Sequence, residues 1–348
     1  MPKTKRALFF LHLLFSLAAC LPQARLLAAD ADNDGLDDDW ELSMGLDPAR
    51  TTRLIYLDAV SGDDMNSGSS QSSAKQTFSG AFAAMSQSSE NAVLVATGTY
   101  SGPGNRGLAV SGRDVKILFD GTGARPVVDL EDSGRFLCAS YGTSFKASGL
   151  VFRNGRSDSR GTALDFSDSD VTLVNCAFED CRAGRRTSYT SGGYTYEYWT
   201  GNWMTAAVFV AVGTATLENC RFSGNATFGN YSGWGEDLEQ AESCGALMLV
   251  CLSNAVVRDC VFERNVGIGA GAVVSAGSNV SFTSCRFTGN RSSGTAGAVA
   301  NSEIEWWDPG SEDYISGTGS LSMTNCLLSS NRAGARASDA WFSMPAIL

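Results

Sequence analysis

The chain has 348 residues, 43% of them apolar, and a formal net charge of −11. This length and composition allow a large buried core, whereas the acidic balance argues against a surface that neutralises nucleic-acid phosphates. The one histidine, His12, lies in the N-terminal segment described next. Without it, the rest of the chain cannot use Ser-His, Cys-His or His-metal chemistry.

The N-terminal segment has the layout of a secretory signal, with a basic start, an apolar run and then small residues. The run is too short to span a bilayer. Two cleavage sites fit. "LAAC" resembles a bacterial lipobox, which gives a signal of residues 1–19 and a lipidated Cys20, whereas "LLAAD" allows cleavage after Ala29 and a signal of residues 1–29. Either cleavage site predicts export, to the outer-membrane surface or the medium. A membrane is an expected partner only through the lipid anchor that Cys20 would carry.

The next segment, "DADNDGLDDDWE", has the spacing of a twelve-residue calcium loop, with oxygen ligands at positions 1, 3, 5, 7, 9 and 12 and glycine at 6. The predicted Ca²⁺ ligands are Asp30, Asp32, Asp34, the carbonyl of Leu36, Asp38 and Glu41. Residues 30–50 resemble EF-hand-like, thrombospondin type 3-like calcium repeats, and "WELSM" predicts a short helix that ends at Gly45. The alternative is an acidic, solvated linker.

Residues from about 51 to 100 predict a strand, an amphipathic helix and a second strand. Phe78, Phe82 and Met85 recur at helical spacing. The segment resembles the first coil of secreted β-helix proteins, in which such a helix covers the open apolar end of the coil. We therefore expect residues 51–100 to form an N-terminal cap.

A repeat begins after the cap. Its pattern is Cys-x-Phe-x-x-Asn, and a second motif similar to Gly-Ala-Val follows four of the copies, at residues 205, 244, 270 and 296. The clearest copies are "LVNCAFEDC" (173–181), "LENCRFSGN" (217–225), "VRDCVFERN" (257–265), "FTSCRFTGN" (282–290) and "MTNCLLSSN" (323–331). Short alternating runs that recur about every 25 residues predict a solenoid of short parallel strands. A bend before each cysteine would turn both Phe282 and Cys285 inward.

These motifs identify the fold by resemblance. Residues 51–348 resemble an all-β, single-stranded, right-handed parallel β-helix of the pectate-lyase-like kind, preceded by the short calcium loop and containing the capping helix. The paired motifs are similar to the repeats of chlamydial polymorphic outer-membrane proteins, although the second motif here reads "AGAV", "CGAL" or "TAAV". The resemblance implies a protein of the cell surface.

The cysteines divide into two groups. One group occupies the repeat slot, and we expect it to form a ladder of buried, mostly reduced thiols: Cys176, Cys220, Cys260, Cys285 and Cys326. The other group lies outside the slot and contains the better disulfide candidates in an exported chain: Cys138, Cys181, Cys244 and Cys251.

Three aromatic insertions, residues 185–203, 227–243 and 302–316, interrupt the repeat. Rings beside carboxylates suit a sugar-binding ledge. The predicted ligand-binding residues are Tyr194, Tyr196, Tyr198, Trp199, Trp203, Trp234, Glu197 and Asp237. The alternative is that the insertions pack against the solenoid wall as satellite cores.

The residues available for catalysis are fewer. Asp165, Asp168 and Asp170, with Lys146, Arg153 and Arg156 one coil earlier, could supply a lyase or hydrolase, or could form an exposed turn. We therefore expect a non-catalytic protein for adhesion, display or carbohydrate binding, whose ligand is a polysaccharide or a host or cell-surface molecule. The alternative is a polysaccharide lyase or glycoside hydrolase on the same scaffold.

Overall fold

The computed structural model describes residues 29–342, except 88, 120, 159, 192–193, 201–203, 229–242, 252–253, 309–312, 318 and 335–339. The described residues form two compact units, one ending at Thr52 and the other beginning at Arg53. The first unit contains helix α1 (Asp38–Met44). The Asp37 carboxylate caps its start by accepting the backbone N–H of Trp40, and Gly45, at φ 70°, ends it where the sequence predicts.

The other elements are helix α2 (Phe78–Ala83), two 3-10 turns (Gln71–Ser73 and Pro103–Asn105) and the strands. The first sixteen strands are β1 (Thr52–Leu57), β2 (Glu90–Val95), β3 (Thr99–Tyr100), β4 (Leu108–Ser111), β5 (Asp114–Phe119), β6 (Val127–Asp129), β7 (Leu137–Ser140), β8 (Thr143–Ser148), β9 (Val151–Arg153), β10 (Arg156–Ser157), β11 (Arg160–Val174), β12 (Ala177–Glu179), β13 (Arg182–Ala183), β14 (Arg185–Ser191), β15 (Tyr194–Thr200) and β16 (Thr205–Glu218). The others are β17 (Arg221–Ser223), β18 (Ala226–Thr227), β19 (Leu247–Val250), β20 (Asn254–Arg258), β21 (Val261–Glu263), β22 (Val266–Gly267), β23 (Val273–Ala276), β24 (Asn279–Thr283), β25 (Arg286–Thr288), β26 (Arg291–Ser292), β27 (Val299–Ser302), β28 (Ile304–Asp308), β29 (Asp313–Gly317), β30 (Leu321–Thr324), β31 (Leu327–Ser329) and β32 (Ala340–Phe342). Neither described helix is long and apolar enough to cross a membrane.

Parallel pairing stacks the strands into three faces. The first face is β4–β7–β11–β16–β19–β23–β27–β32, the second is β1–β2–β5–β8–β11–β16–β20–β24–β30, and the third is β3–β6–β9–β12–β17–β21–β25–β31. Strands β11 and β16 bend from the first face into the second, and a row of short strands (β10–β13–β18–β22–β26) lies after the third. Each turn of the chain crosses every face once, so the fold is the predicted parallel β-helix.

The phenylalanines of the repeat form one column inside the coil. Phe152, Phe178, Phe222, Phe262 and Phe287 occupy paired positions of the third face. Successive ring centroids are 5.2, 4.8, 4.9 and 4.8 Å apart, with nearly parallel planes. Because one coil cannot bury its own apolar side, this stacking is what closes the core.

The predicted bend before each cysteine is a single residue in the left-handed region. It is Asn175 (φ 52°), Asn219 (51°), Asp259 (53°), Ser284 (54°) and Asn325 (54°) in successive coils. Asn and Asp adopt this conformation more readily than other non-glycine residues. The reversal of side-chain phase leaves both Phe282 and Cys285 only 1% exposed.

The asparagine of the repeat forms a buried amide ladder. The Nδ2 of Asn225 donates to Oδ1 of Asn265 at 3.0 Å, Asn265 donates in the same way to Asn290 at 3.0 Å, and Asn290 to Asn331 at 2.9 Å. The glycine of the second motif packs beside it. A Cβ on Gly271 would lie 2.1 Å from the carbonyl oxygen of Gly297 and 2.9 Å from Cβ of Asn290. Glycine is therefore required at this corner by close packing.

Helix α2 covers the core at the N-terminal end, as predicted. Phe78 is fully buried, and its ring lies 5.3 Å from that of Tyr100 and 4.9 Å from that of Phe136. Phe82 and Met85 join the same cluster. The apolar stripe of α2 thus packs on the first coils.

All nine described cysteines are free thiols. Cys176, Cys220, Cys260 and Cys285 are buried in the predicted ladder, and Cys326 is half-buried at its end. The four better disulfide candidates, Cys138, Cys181, Cys244 and Cys251, are free thiols in the described part of the structure. Two of that group, Cys181 and Cys244, belong to different hydrophobic clusters and so pack as apolar residues.

Candidate functional site

The N-terminal loop brings three of the predicted calcium ligands together. One carboxylate oxygen from each of Asp30, Asp32 and Asp34 lies within 4.8 Å of the others. Backbone N–H groups hold the arrangement: that of Asp34 donates to Oδ1 of Asp32 at 3.1 Å, and that of Gly35 to Oδ2 of Asp30 at 3.1 Å. Gly35 takes φ 93° at the sharp turn. This is half of the predicted ligand set.

The other predicted ligands have different surroundings. The Asp38 Oδ1 accepts the backbone N–H of Ala31 at 2.8 Å, and Glu41 is buried on α1. The Leu36 N–H donates to Oδ1 of Asp34 at 2.9 Å. Among the described residues, the group of carboxylates close enough to share one ion contains neither Asp38 nor Glu41.

The charge balance at this loop favours a cation. Partial desolvation and the negative charges of Asp34 and Asp30 raise the pKa of the Asp32 carboxyl. Its Oδ2 is shielded from solvent and has no hydrogen-bond partner. Carboxylate oxygens are the hard ligands that Ca²⁺ prefers, so these three residues fit that ion as part of the six to eight oxygens it takes.

The first aromatic insertion forms an antiparallel hairpin of β14 and β15. Its register places Tyr196 opposite Tyr189 and Glu197 opposite Ser188. Tyr194, at the start of β15, is 72% exposed. Tyr198 and Trp199 lie on the same strand. The side chains of residues 196–199, and all of Trp203, Trp234, Asp237 and Cys20, lie outside the described part of the structure.

The three aspartates considered for a lyase or hydrolase lie in different surroundings. Asp165 is buried on the first face, whereas Asp170 is exposed on the second face and accepts the hydroxyl of Thr214. Asp168 lies at the bend between them, with φ 49°. The bend at Asp168 therefore places Asp165 and Asp170 on different faces of the coil.

Asp165 belongs instead to a compact polar cluster. Its carboxylate forms an ion pair with Arg135, and Arg135 also donates to the Ser157 hydroxyl at 2.6 Å and to Sγ of Cys138 at 3.5 Å. Burial raises the pKa of the Asp165 carboxyl, and the charges of Arg135 and Arg160 only partly oppose this effect. Sequence reasoning missed this cluster because Arg135 lies 30 residues from Asp165.

The three basic candidates have structural surroundings. Lys146 is half-buried on the second face, where burial and the neighbouring Lys116 lower its pKa. Arg153 forms an ion pair with Asp129 at 2.8 Å. Arg156 donates to the carbonyl of Gly184 at 3.2 Å. The contacts that Arg153 and Arg156 make with Asp129 and Gly184 therefore join neighbouring coils.

The first face carries a second hydrophobic core on its outer side. Phe209, Met248, Val274 and Ala300 occupy paired positions on adjacent strands and are at most 4% exposed. They alternate along the strands with residues of the inner core such as Val273. From β16 to β27 the first face is therefore buried on both sides.

The second face differs, because its outer side carries an open groove lined by uncharged residues. The groove crosses β16, β20, β24 and the start of β30 and has a volume of about 370 Å³. Its lining residues are Thr214, Ala215, Thr216, Asn254, Ala255, Val256, Asn279, Val280, Ser281, Ser320 and Ser322. In the sequence, this groove appears only as outward-facing Ser, Thr and Asn residues. Any strand that faces solvent shows the same pattern, so the sequence does not distinguish the groove.

Comparisons with known proteins agree with this architecture. Residues 137–305 match the family model described as "Right handed beta helix region". Among solved structures, the chain is similar to a rhamnogalacturonan lyase, with 13% identity, a TM-score of 0.40 and coverage of 85% of this chain and 89% of that chain. It is also similar to a GH136 lacto-N-biosidase from Eubacterium ramulus (8% identity, TM-score 0.38, 84% and 68%) and to pectate lyase Pel9A (13%, 0.29, 92% and 85%). No curated protein matches the sequence. The family-model match and the parallel strand pairing agree on the fold, a right-handed parallel β-helix.

Proposed function

We propose that this protein is an exported, non-catalytic β-helix that attaches to polysaccharide outside the cell. The observation that carries the proposal is the hairpin β14–β15, which leaves the coil between Ala183 and Thr205. The exposed ring of Tyr194 offers a flat apolar surface for a sugar ring, and its polar edge can bond sugar hydroxyls. The resemblance of the repeats to chlamydial surface proteins supports the same location.

The test is retention of the folded protein in native gels that contain xylan, pectin or hydroxyethyl cellulose. We expect the double variant Tyr194→Ala/Trp199→Ala to migrate as it does in a sugar-free gel. Tyr141→Ala is the matched control, because Tyr141 is equally exposed (77%) elsewhere on the coil. Equal retention of the double variant and the parent would refute a role for the hairpin in attachment, and so would a parent that no polysaccharide retains.

We also propose that the N-terminal loop binds Ca²⁺ and thereby stiffens the stretch before the β-helix. The support is the convergence of Asp30, Asp32 and Asp34 and the unpartnered Oδ2 of Asp32. When bound, the ion would neutralise these charges. Asp32→Asn should weaken calcium binding about tenfold or more, measured by titration calorimetry. Asp39→Asn, an exposed acid of the same segment, is the control. Equal affinities in both variants would contradict the site and leave the hairpin proposal intact.

The second candidate function is a polysaccharide lyase or glycoside hydrolase on the same scaffold. The observation that favours it is the buried Asp165 beside Arg135, because a carboxyl with a raised pKa suits acid catalysis. Release of unsaturated or reducing ends from pectin, with and without added calcium, tests it. Product formed by the parent and not by Asp165→Asn would establish the enzyme and overturn the non-catalytic proposal.

A further inference from the structure

The groove on the second face has two regular columns of side chains. The outer column is Thr214, Asn254, Asn279 and Ser320, and all four are exposed. The floor column is Thr216, Val256, Ser281 and Ser322, and all four are half-buried. Strand pairing aligns each column across four adjacent coils. Each coil therefore presents the same pair of positions at the strand spacing of about 4.8 Å.

Hydrogen bonds connect the outer column before any ligand is present. Asn279 Nδ2 donates to Oδ1 of Asn254 at 3.0 Å, and Asn279 Oδ1 accepts the hydroxyl of Ser320 at 2.9 Å. At the other end, the Thr214 hydroxyl donates to Asp170. Such contacts hold the polar groups in fixed positions, which reduces the entropy lost when a ligand is bound.

The groove is also electrically neutral. None of its lining residues is ionisable. Charged residues of the second face lie outside the lining: Asp170 continues the outer column at the Thr214 end, Lys116 and Lys146 continue the floor column on earlier coils, and the ion pair of Glu218 and Arg258 borders one side. A neutral groove with hydroxyl and amide groups and an apolar floor residue, Val256, suits a ligand with hydroxyls on its rim and apolar ring faces.

We propose that this groove binds a linear, uncharged polysaccharide whose chain runs along the axis of the β-helix. An extended chain of pyranose units repeats over a distance close to one coil rise, so each sugar would meet the same pair of side chains. The four coils extend the groove over about 14 Å, three strand spacings. A chain in this orientation keeps register with the coils, whereas a chain across the strands would meet the groove only once.

This inference rests on the proposed polysaccharide attachment, but it uses the second face and not the hairpin β14–β15. It names the ligand class, which the hairpin does not. An anionic polymer such as pectate has no cation to bind among the lining residues and must approach Asp170 at one end. The groove should therefore select neutral chains over uronate chains.

Titration calorimetry with purified cello-, xylo- and manno-oligosaccharides of two to six units, and with oligogalacturonate, tests the proposal. The affinity for at least one neutral series should rise with length up to about four units, one for each coil, and then level off. Oligogalacturonate should bind at least about tenfold more weakly. Lack of binding by every neutral series, or tighter binding of oligogalacturonate, would overturn the assignment.

A second experiment replaces side chains of the floor column with others of nearly the same shape. Thr216→Val/Ser281→Ala removes two hydroxyls and should weaken binding about tenfold or more. Thr172→Val is the control, because Thr172 precedes Thr216 in the same column but lies outside the groove. Circular dichroism confirms that each variant is folded. Unchanged affinity of the double variant would overturn the proposal. If the hairpin variant alone loses polysaccharide retention, the proposed function stands and the groove proposal fails.

Discussion

The amide ladder provides the sharpest test of how the coils are held together. Asn265 is fully buried and makes four side-chain hydrogen bonds. Its Nδ2 donates to the carbonyl of Phe222 and to Oδ1 of Asn290, both at 3.0 Å, and its Oδ1 accepts the backbone N–H of Asn225 at 3.2 Å and Nδ2 of Asn225 at 3.0 Å. Asn265→Ala removes all four and leaves the buried N–H of Asn225 without this acceptor.

The expected loss of stability follows from these contacts. A buried donor without a partner costs about 1–3 kcal/mol, and each further lost bond about 0.5–1.5 kcal/mol net. Some of the remaining groups keep other partners, so we expect Asn265→Ala to lower the free energy of unfolding by about 3–5 kcal/mol. The measurement is urea unfolding followed by far-ultraviolet circular dichroism, with the midpoint and slope compared with those of the parent.

Asn279→Ala is the matched control, because Asn279 stacks on Asn254 in an exposed column. Water can replace those bonds, so its loss should stay below about 1 kcal/mol. A loss below about 1 kcal/mol for Asn265→Ala, or equal losses for the two variants, would refute the view that the buried ladder and not the sheet alone fixes the coils.

Three further predictions concern the same core and its surface. Phe262→Ala removes a ring stacked on both sides and should destabilise the protein by about 3–5 kcal/mol in urea unfolding; a loss below about 1 kcal/mol would contradict the column. Burial raises the pKa of Cys181 and Cys244 to about 12, so at pH 8 both should react with a disulfide reagent only after urea is added, and mass spectrometry of labelled peptides would expose any reaction in the native state. The Arg221 hydrogen bond lowers the pKa of Glu263, so its stabilisation is present above the unfolded value of about 4.3 and is lost as the pH falls through the folded value. Glu263→Gln should remove this acid-dependent loss of stability. The loss should be below about 1 kcal/mol, because half of Arg221 is exposed. Identical acid unfolding curves for the variant and the parent would show that the ion pair contributes nothing to stability.

The repeat predicted the interior well because every coil repeats the same constraint. Phe262 has to stack on its counterparts, and the residue before Cys285 has to reverse the side-chain phase, so a column and a bend follow from spacing alone. The same local reasoning predicted helix α2, since the burial of Phe78 follows from its helical period.

The outer surface was harder to predict because its partners are distant in sequence. Runs such as "ALMLV" are apolar at every position, so they do not reveal that Met248 packs outside while Leu247 and Leu249 pack inside. Arg135 and Asp165 meet only because their strands stack. In the acidic loop, spacing identified Asp30, Asp32 and Asp34 as neighbours, but it could not show that Asp38 would bond Ala31.

The alignment of equivalent side chains in every coil has a consequence for how such genes change length. The segment Val261–Cys285 contains one full turn, because the residue that follows it, Arg286, pairs with Val261 in the next coil. Duplication or deletion of a segment of that length would join one turn to another with the inner columns still aligned. Unequal recombination within the gene could therefore lengthen or shorten the β-helix in whole turns, and the proposed groove would gain or lose one coil at a time.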